Sequence, residues 1–541
     1  MSTAFPEVEA EPAPPAASGR WAVLVGAGIL LSRLAGLVRE RVIAHYFGNS
    51  GVADALRASF RIPNLLQNLF GEGVLSASFI PVYARLLAGR DEAEADRVAG
   101  SVGAALALTM ALAVVLGMAT APWLVDLVAP GFSGDRRALT ISMVRILFPG
   151  VGLLVLSAWC LGILNSHRRF FLSYAAPVLW NVVIIATLVG FGGRRSAESL
   201  ALAAAWGAVV GSAAQLGVQL PRTLRLARGM RPELRWRDPQ VATVFRNFAP
   251  AFVSRGVVQL SAYIDQLLAS LLPIGAVAAL GYAQTLYTLP VSLFGMAISA
   301  AELPAMSSAL GAHEEVARQL LERLRPALRR VAFFIVPSAV AFAALGDVVT
   351  GAIYQTGRFH HDDVLYVWGI LGCSAVGLLA STLARLYAST WYALRDTARP
   401  LRYAVVRLVA TTGLGILFAF PAPAWLGLDA HWGAAGLALA AGVAGWIEFA
   451  LLRRSLVPRI GRASLGRGFL LRLWASAASA AALAWGLRLA LPALPPVLSA
   501  ALILVPYGAL YFAAAALLGV AESHAVLRQV AKRLGLRRRR A

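Results

Sequence analysis

Residues 32–73 read SRLAGLVRERVIAHYFGNSGVADALRASFRIPNLLQNLFGEG. The stretch places Arg33, Arg39, Glu40, Arg41, Asp54, Arg57, Arg61 and Glu72 within or between the first two long apolar segments of the chain. An ionisable side chain at bilayer depth costs roughly 2.5 to 3.5 kcal/mol on the insertion scale, so several together must face one another, water or a polar ligand. The stretch therefore predicts a membrane-embedded fold with a cationic cavity for an anionic head group.

The composition around it agrees. Hydrophobic residues make up 59% of the 541, charged residues 14%, and the mean hydropathy is +0.69, values of an integral membrane protein. Apolar runs of about 20 residues, enough to cross a hydrocarbon core roughly 30 Å thick, recur from Trp21 almost to the C-terminus. They number about fourteen, at 20–46, 62–88, 99–129, 138–165, 171–192, 198–221, 241–272, 276–305, 328–354, 364–393, 402–420, 432–453, 468–491 and 497–521. The net charge of +22 comes almost wholly from arginines spread through the loops between these runs, not gathered on one soluble face, so nucleic acid is not the expected partner. Cys160 and Cys373 fall inside apolar runs and call for neither a disulfide framework nor a metal site. Residues 1–18, rich in Pro, Ala and Glu, have the wrong charge for a secretory signal and read as a disordered tail kept in the mature protein.

Arginine clusters follow the even-numbered runs. Examples are Arg222 to Arg237, Arg318 to Arg330, Arg453 to Arg462 and the tail Arg537 to Arg540; loops such as 273–275 and 421–431 are nearly free of arginine. The positive-inside rule then places both termini in the cytoplasm. The chain also repeats itself: Ser32-Arg33 matches Ser254-Arg255, Pro63 matches Pro290, and Pro81 matches Pro304, at closely similar offsets. Each repeat holds six runs, an even number, so the halves enter the membrane in the same direction as a parallel repeat. The expected organisation is a cytoplasmic tail 1–19, an N-lobe 20–222, a basic linker 223–240, a C-lobe 241–453, two extra helices in 468–521 and a basic tail 522–541. The fold class is all-α, and substrate is expected between rocking lobes.

On a straight helix Arg33 and Glu40 share a face, whereas Arg39 lies about 120° from Arg33. Both arginines reach one cavity only if the helix bends, and Gly36 offers the place. The alternative is that Arg39 and Arg41 snorkel to an interface while Arg33 pairs with Glu72 or Glu40. Arginine suits a diphosphate, since its planar fork makes paired, charge-assisted hydrogen bonds and stays ionised when partly desolvated. Asp265, a lone acid in YIDQLL, reads as a cation or proton site, or else as an ion-pair partner of Arg255. No HExxH, P-loop lysine or CxxC occurs, so an enzyme is not expected, and with no ATP-binding motif uphill transport would draw on ion gradients or membrane potential.

SRLAGLVRE, GVADALRASFRIPNLL, GEGVLSASFIPVY and, later, LYASTWYALRDTARP together resemble the MurJ (MviN) lipid II flippases of bacterial peptidoglycan synthesis, in the MOP exporter superfamily. The resemblance runs from about Arg20 to Val520. It implies fourteen helices, two six-helix lobes around a cationic cavity, and a groove at the last two helices for a polyprenyl tail. It implies a multi-pass protein of the bacterial inner membrane, with lipid II as substrate, membrane lipids around it and cell-wall synthesis proteins as further partners. Arg33, Arg39, Asp54 and Glu72 match family motif positions; with Arg57, Arg61 and Arg255 they form the expected substrate-binding set. No cofactor is implied. Coupling to Na+ or H+ is expected at Asp265, joined by Asp396 and Thr412. Two family arginines are replaced, by Gln67 after PNLL and by Thr285 on the eighth helix, and Arg57, Arg61 or Arg255 would have to compensate. These losses leave open a flippase for another polyprenyl-linked glycan of O-antigen or capsule type. A drug/cation antiporter of the same superfamily would favour acidic binding surfaces instead, and a non-transporting scaffold for cell-wall enzymes would bind no lipid-linked precursor.

Overall fold

The structure is a computed structural model that describes residues 19–235, 237–308, 313–492 and 494–533. Residues 1–18 and 534–541 of the two tails lie outside the described residues, as do the side chains of Ser254 and Arg255, and the first part of the C-terminal tail is helical. Every regular element among the described residues is helical. The first half runs α1 (Gly19–Phe47), α2 (Gly51–Phe70), α3 (Glu72–Ala88), α4 (Glu92–Ala119), α5 (Ala121–Val128), α6 (Gly134–Ser166), α7 (Phe170–Phe191) and α8 (Ala197–Leu226). The second runs α9 (Pro239–Ser270), α10 (Ala276–Pro290), a π-helical turn at Val291–Met296, α11 (Ala297–Ser307), α12 (His313–Ala344), α13 (Gly346–Tyr354), α14 (His361–Ala393), α15 (Ala398–Ala419), α16 (Pro421–Trp425) and α17 (Gly433–Ile460). Three more follow: α18 (Arg467–Ala490), α19 (Pro496–Leu517) and α20 (Ala521–Arg533).

Among the described residues, eleven segments are long and apolar enough to span a membrane: α4, α6, α7, α8, α10 to α11, α12, α14, α15, α17, α18 and α19. The three remaining expected spans correspond to α1, to α2 with α3, and to α9. In α2 and α9 apolarity is broken by charged residues such as Arg57, Arg61, Arg255 and Asp265, whereas residues 21–38 of α1 carry Arg33 as their one charge. The second expected span, placed at 62–88, differs from what is observed. Its helix begins eleven residues earlier, at Gly51, where the Ser50 hydroxyl accepts from the Ala53 amide at 3.3 Å and caps the first turn. It breaks at Gly71, where an added Cβ would lie 2.2 Å from the Gln67 carbonyl oxygen. Apolarity alone hid α2, because Arg57, Arg61, Asn64 and Asn68 form a polar stripe within about 60° of arc on it.

The internal repeat is visible in the packing. In the first half α1 packs on α7, α2 and α4 on α6, and both α6 and α7 on α8; in the second, α9 packs on α15, α10 and α12 on α14, and both α14 and α15 on α17. The matched prolines also correspond, since Pro63 lies in α2 and Pro290 ends α10, just before each span is interrupted, at Gly71 and at the π-helical turn.

The last helices belong with the second half. Pro337 inside α12 has no N–H for the Phe333 carbonyl, and the Tyr511 hydroxyl of α19 donates to that oxygen at 2.6 Å. Tyr507 donates to the Pro337 carbonyl at 2.7 Å, and Arg488 of α18 pairs with buried Asp347 of α13 at 2.6 Å. At the arginine-rich end Tyr83 and His167 hydrogen-bond at 3.1 Å, and burial pushes the His167 imidazole below its usual range. The neutral form is thus the one the fold favours, so stability held at neutral pH should fall as pH drops through about 6.5. His167→Gln should flatten that slope, read as melting temperature against pH from 7.5 to 5.5.

Candidate functional site

The charges of the opening stretch organise around Glu40, whose side chain is 5% exposed. Arg39 donates to one carboxylate oxygen at 2.7 Å, and Arg57 of α2 donates to the other. Arg39 also donates to Asn181 of α7 at 3.0 Å and lies over the Trp180 ring, 4.8 Å from its centroid. The Arg57 guanidinium lies 4.6 Å from the Tyr282 ring centroid on α10, so the cluster reaches across to the second half. An added Cβ at Gly281 would meet that guanidinium at 3.0 Å, which is why α10 can approach so closely.

Arg33 is different. It is exposed and, among the described residues, has no hydrogen-bond or ion-pair partner. Seven residues from Glu40, it shares that residue's face to within about 20° and lies roughly 10 Å further along the axis. Its guanidinium therefore follows the face that meets Arg57, not the face packed on α7. Arg33 and Arg39 do not share partners: the 120° between them sends Arg39 to α7. Arg61 continues the α2 stripe, its guanidinium 6.0 Å from the Tyr263 ring centroid of α9, and the Tyr263 hydroxyl donates to the Arg61 carbonyl at 2.7 Å. Glu72 opens α3, is exposed, and has Tyr174 of α7 as an electrostatic neighbour. Arg255 lies on α9, and its side chain is outside the described residues.

Asp54 is fully buried, and its carboxylate joins the two halves. It accepts the Gly275 amide at 2.7 Å, the Ala278 amide at 2.8 Å and the Arg136 guanidinium at 3.3 Å. Gly275, the N-cap of α10, has no side chain to satisfy that helix's first N–H groups, and Asp54 supplies the cap from α2. The same seam carries the Tyr282 hydroxyl donating to the Gly48 carbonyl at 3.0 Å, the Arg358 amide donating to the His45 carbonyl at 2.9 Å, and His45 Nδ1 at 2.8 Å from the Thr356 hydroxyl. Gly48 has φ +60°, and an added Cβ would sit 2.4 Å from the Arg358 carbonyl oxygen. Gly48→Ala should lower the stability of the purified protein by at least about 1–2 kcal/mol, the cost of a left-handed alanine before the clash is counted; equilibrium denaturation in detergent checks it.

The expected cation ligands are not gathered. Asp265 has Arg61 and Arg407 as electrostatic neighbours. Asp396 lies between α14 and α15, where it accepts the Arg399 amide at 3.1 Å and pairs with its guanidinium at 3.5 Å. Thr412 stands on α15 roughly 20 Å of helix rise away, its hydroxyl donating to the Leu408 carbonyl at 2.9 Å. Asp396 and Thr412 are thus too far apart along the chain to share one ion site.

Residue types in sequence did not point to Arg136, Trp180 or Tyr282 as partners of this cluster. Asn181 had a signal, as a polar break in the apolar run of α7. Thr285, where the resemblance led us to expect arginine, donates its hydroxyl to the Gly281 carbonyl of its own helix at 2.9 Å. The cation on that side of the interface is Arg57, delivered by α2 against the turn of α10 just before it.

Repeated halves that meet through a polar seam, with cations along the facing helices, are the architecture of a membrane transporter whose lobes rock against each other. The family model described as lipid II flippase MurJ matches residues 43–505, and the chain belongs to that family. A relative described as lipid II flippase MurJ from Burkholderia cenocepacia is 33% identical over 437 residues, covering 80% of this chain and 82% of its own. A relative described as a probable lipid II flippase MurJ from Vibrio cholerae is 29% identical over 444 residues, covering 80% and 82%. Among solved structures, the chain is similar in fold to a lipid II flippase MurJ in an inward closed conformation, with TM-score 0.74 and 22% identity, covering 90% of this chain and 98% of that one.

Proposed function

We propose that this chain moves lipid II, the undecaprenyl-diphosphate-linked disaccharide peptide, from the inner to the outer leaflet of the bacterial inner membrane. The observation that carries this reading, beyond family membership, is Arg33: an exposed cation in the middle of a membrane helix, on the face that leads to the Glu40 cluster. The arginine pattern of the loops supports fourteen spans with both termini cytoplasmic, which puts the seam of Asp54 and Gly48 on the outer side. The seam is closed here, so substrate enters from the inner side. Arg33 meets the diphosphate first, while Glu40 holds Arg39 and Arg57 as a paired reserve of cations beyond it. Two negative charges moving outward gain about 2.3 kcal/mol per charge per 100 mV from an inside-negative potential. No step is assigned to a coupling ion, because Asp265 faces arginines in this state.

The test is growth of cells depleted of their own lipid II flippase and supplied with this chain. Rescue, with lipid II exposed at the outer surface, is the expected result. Failure to rescue by a protein that inserts normally, together with export of another polyprenyl-linked glycan, would overturn the assignment and account for Gln67 and Thr285.

A further inference from the structure

Arg41 is the one charge of the opening stretch to which the substrate gives no task. Its Nη1 donates to the carbonyl oxygens of Ala352 at 2.6 Å and Ile353 at 2.8 Å. These carbonyls end α13, where the Gly351 oxygen is already taken by the Gln355 amide at 3.0 Å. The last carbonyls of a helix lack intrahelical donors and carry the negative end of its dipole, so a guanidinium placed there is held by charge and by hydrogen bond together. Asp54 makes the mirror-image contact, an acid of the first half seated on the amide end of α10. One half thus presents a base and an acid, and the other presents a negative and a positive helix end, across one seam.

We propose that Arg41 is a gate residue: it latches α1 to the carboxyl end of α13 and sets the ratio of seam-closed to seam-open protein without touching substrate. Opening the seam withdraws the guanidinium from both carbonyls at once. Hydrogen bonds to charged groups are worth enough that their loss should shift the ratio about tenfold or more towards the open form. The Asp54 contact remains in an Arg41 variant, so closure is weakened and not abolished. Lysine keeps the charge but reaches the two carbonyls from a flexible stem, so it should give an intermediate shift. The effect on transport rate rests on the flippase reading; the state ratio does not.

The experiment measures distance across the seam in full-length protein in nanodiscs without substrate. Cys160 and Cys373 are replaced by alanine, and spin labels are placed at Glu198→Cys and Asp429→Cys, exposed positions on opposite halves. Both lie near the seam, since Gly192 packs against Tyr46 and His431 lies 3.1 Å from the Ile274 carbonyl. Arg41→Gln should raise the ratio of long to short distances about tenfold, and Arg41→Lys should raise it less. Arg358→Gln, which removes an exposed side chain while leaving the backbone contact of that loop, should leave the distribution as in the parent. An unchanged distribution in Arg41→Gln overturns the latch, and so does an equal shift in Arg358→Gln. If Arg41→Gln does not fold, an unchanged distribution in Arg41→Lys overturns it instead. A shift in protein whose parent fails to move lipid II leaves the latch standing and sinks the substrate assignment.

Discussion

Arg33→Ala protein should insert and melt like the parent yet expose lipid II at least tenfold more slowly. The two halves of this expectation have separate causes. Arg33 is exposed and has no partner among the described residues, so its removal orphans no buried acid and opens no cavity. A paired, charge-assisted contact to a diphosphate, by contrast, contributes about 1.5–3 kcal/mol per hydrogen bond, and Gln67 and Thr285, where the resemblance led us to expect arginines, cannot share the load as cations. Arg33→Lys keeps the charge without the fork and should fall between parent and alanine. Melting temperature in detergent and outer-surface lipid II in cells are the two measurements. Normal exposure by a stably inserted Arg33→Ala protein would remove the anchor of the proposed site.

How far such a site can be read from sequence depends on which atoms make it. The membrane class and the repeat were legible, because apolar runs and matched prolines are properties of residue types in order. The charged helices were legible as exceptions, and Arg33 with its depth followed from them. The start of α2 at Gly51 was not, because a polar stripe lowers hydropathy where a facing lobe, not lipid, covers the helix. Asp54 was read as a substrate ligand from its motif position; the partners that bury it are the backbone amides of Gly275 and Ala278 and the side chain of Arg136, 82 residues away. Backbone donors have no letter in a sequence, and a turn that aims them is visible only once packed. Arg57 is the reverse case. The sequence offered it as one of three residues that could compensate for Gln67 and Thr285, and the structure places its guanidinium against α10, where Gly281 leaves room for it.

Glu40→Gln should be the most destabilising single change in the cluster, and Arg57→Gln a milder one. Glu40 is a single carboxylate shared by two guanidinium groups, each about one-fifth exposed. Removing it leaves Arg39 and Arg57 facing each other with no anion between them, and breaking a buried pair from one side costs about 3–5 kcal/mol. Partial exposure of the arginines puts the expectation at the low end, about 3 kcal/mol. Removing Arg57 instead leaves Glu40 with Arg39, which is still tied to Asn181 and stacked on Trp180, so every remaining charge keeps a partner. The double variant Glu40→Gln, Arg57→Gln then returns to a lone Arg39 with its neutral contacts and should recover part of the loss, which makes the two effects non-additive. Equilibrium denaturation of the parent, both single variants and the double variant in one detergent closes the cycle. If Arg57→Gln proves as damaging as Glu40→Gln, or if the double variant is merely the sum, then Glu40 is not the shared counter-charge of the two arginines. The cations proposed to wait beyond Arg33 would then have to be held in some other way.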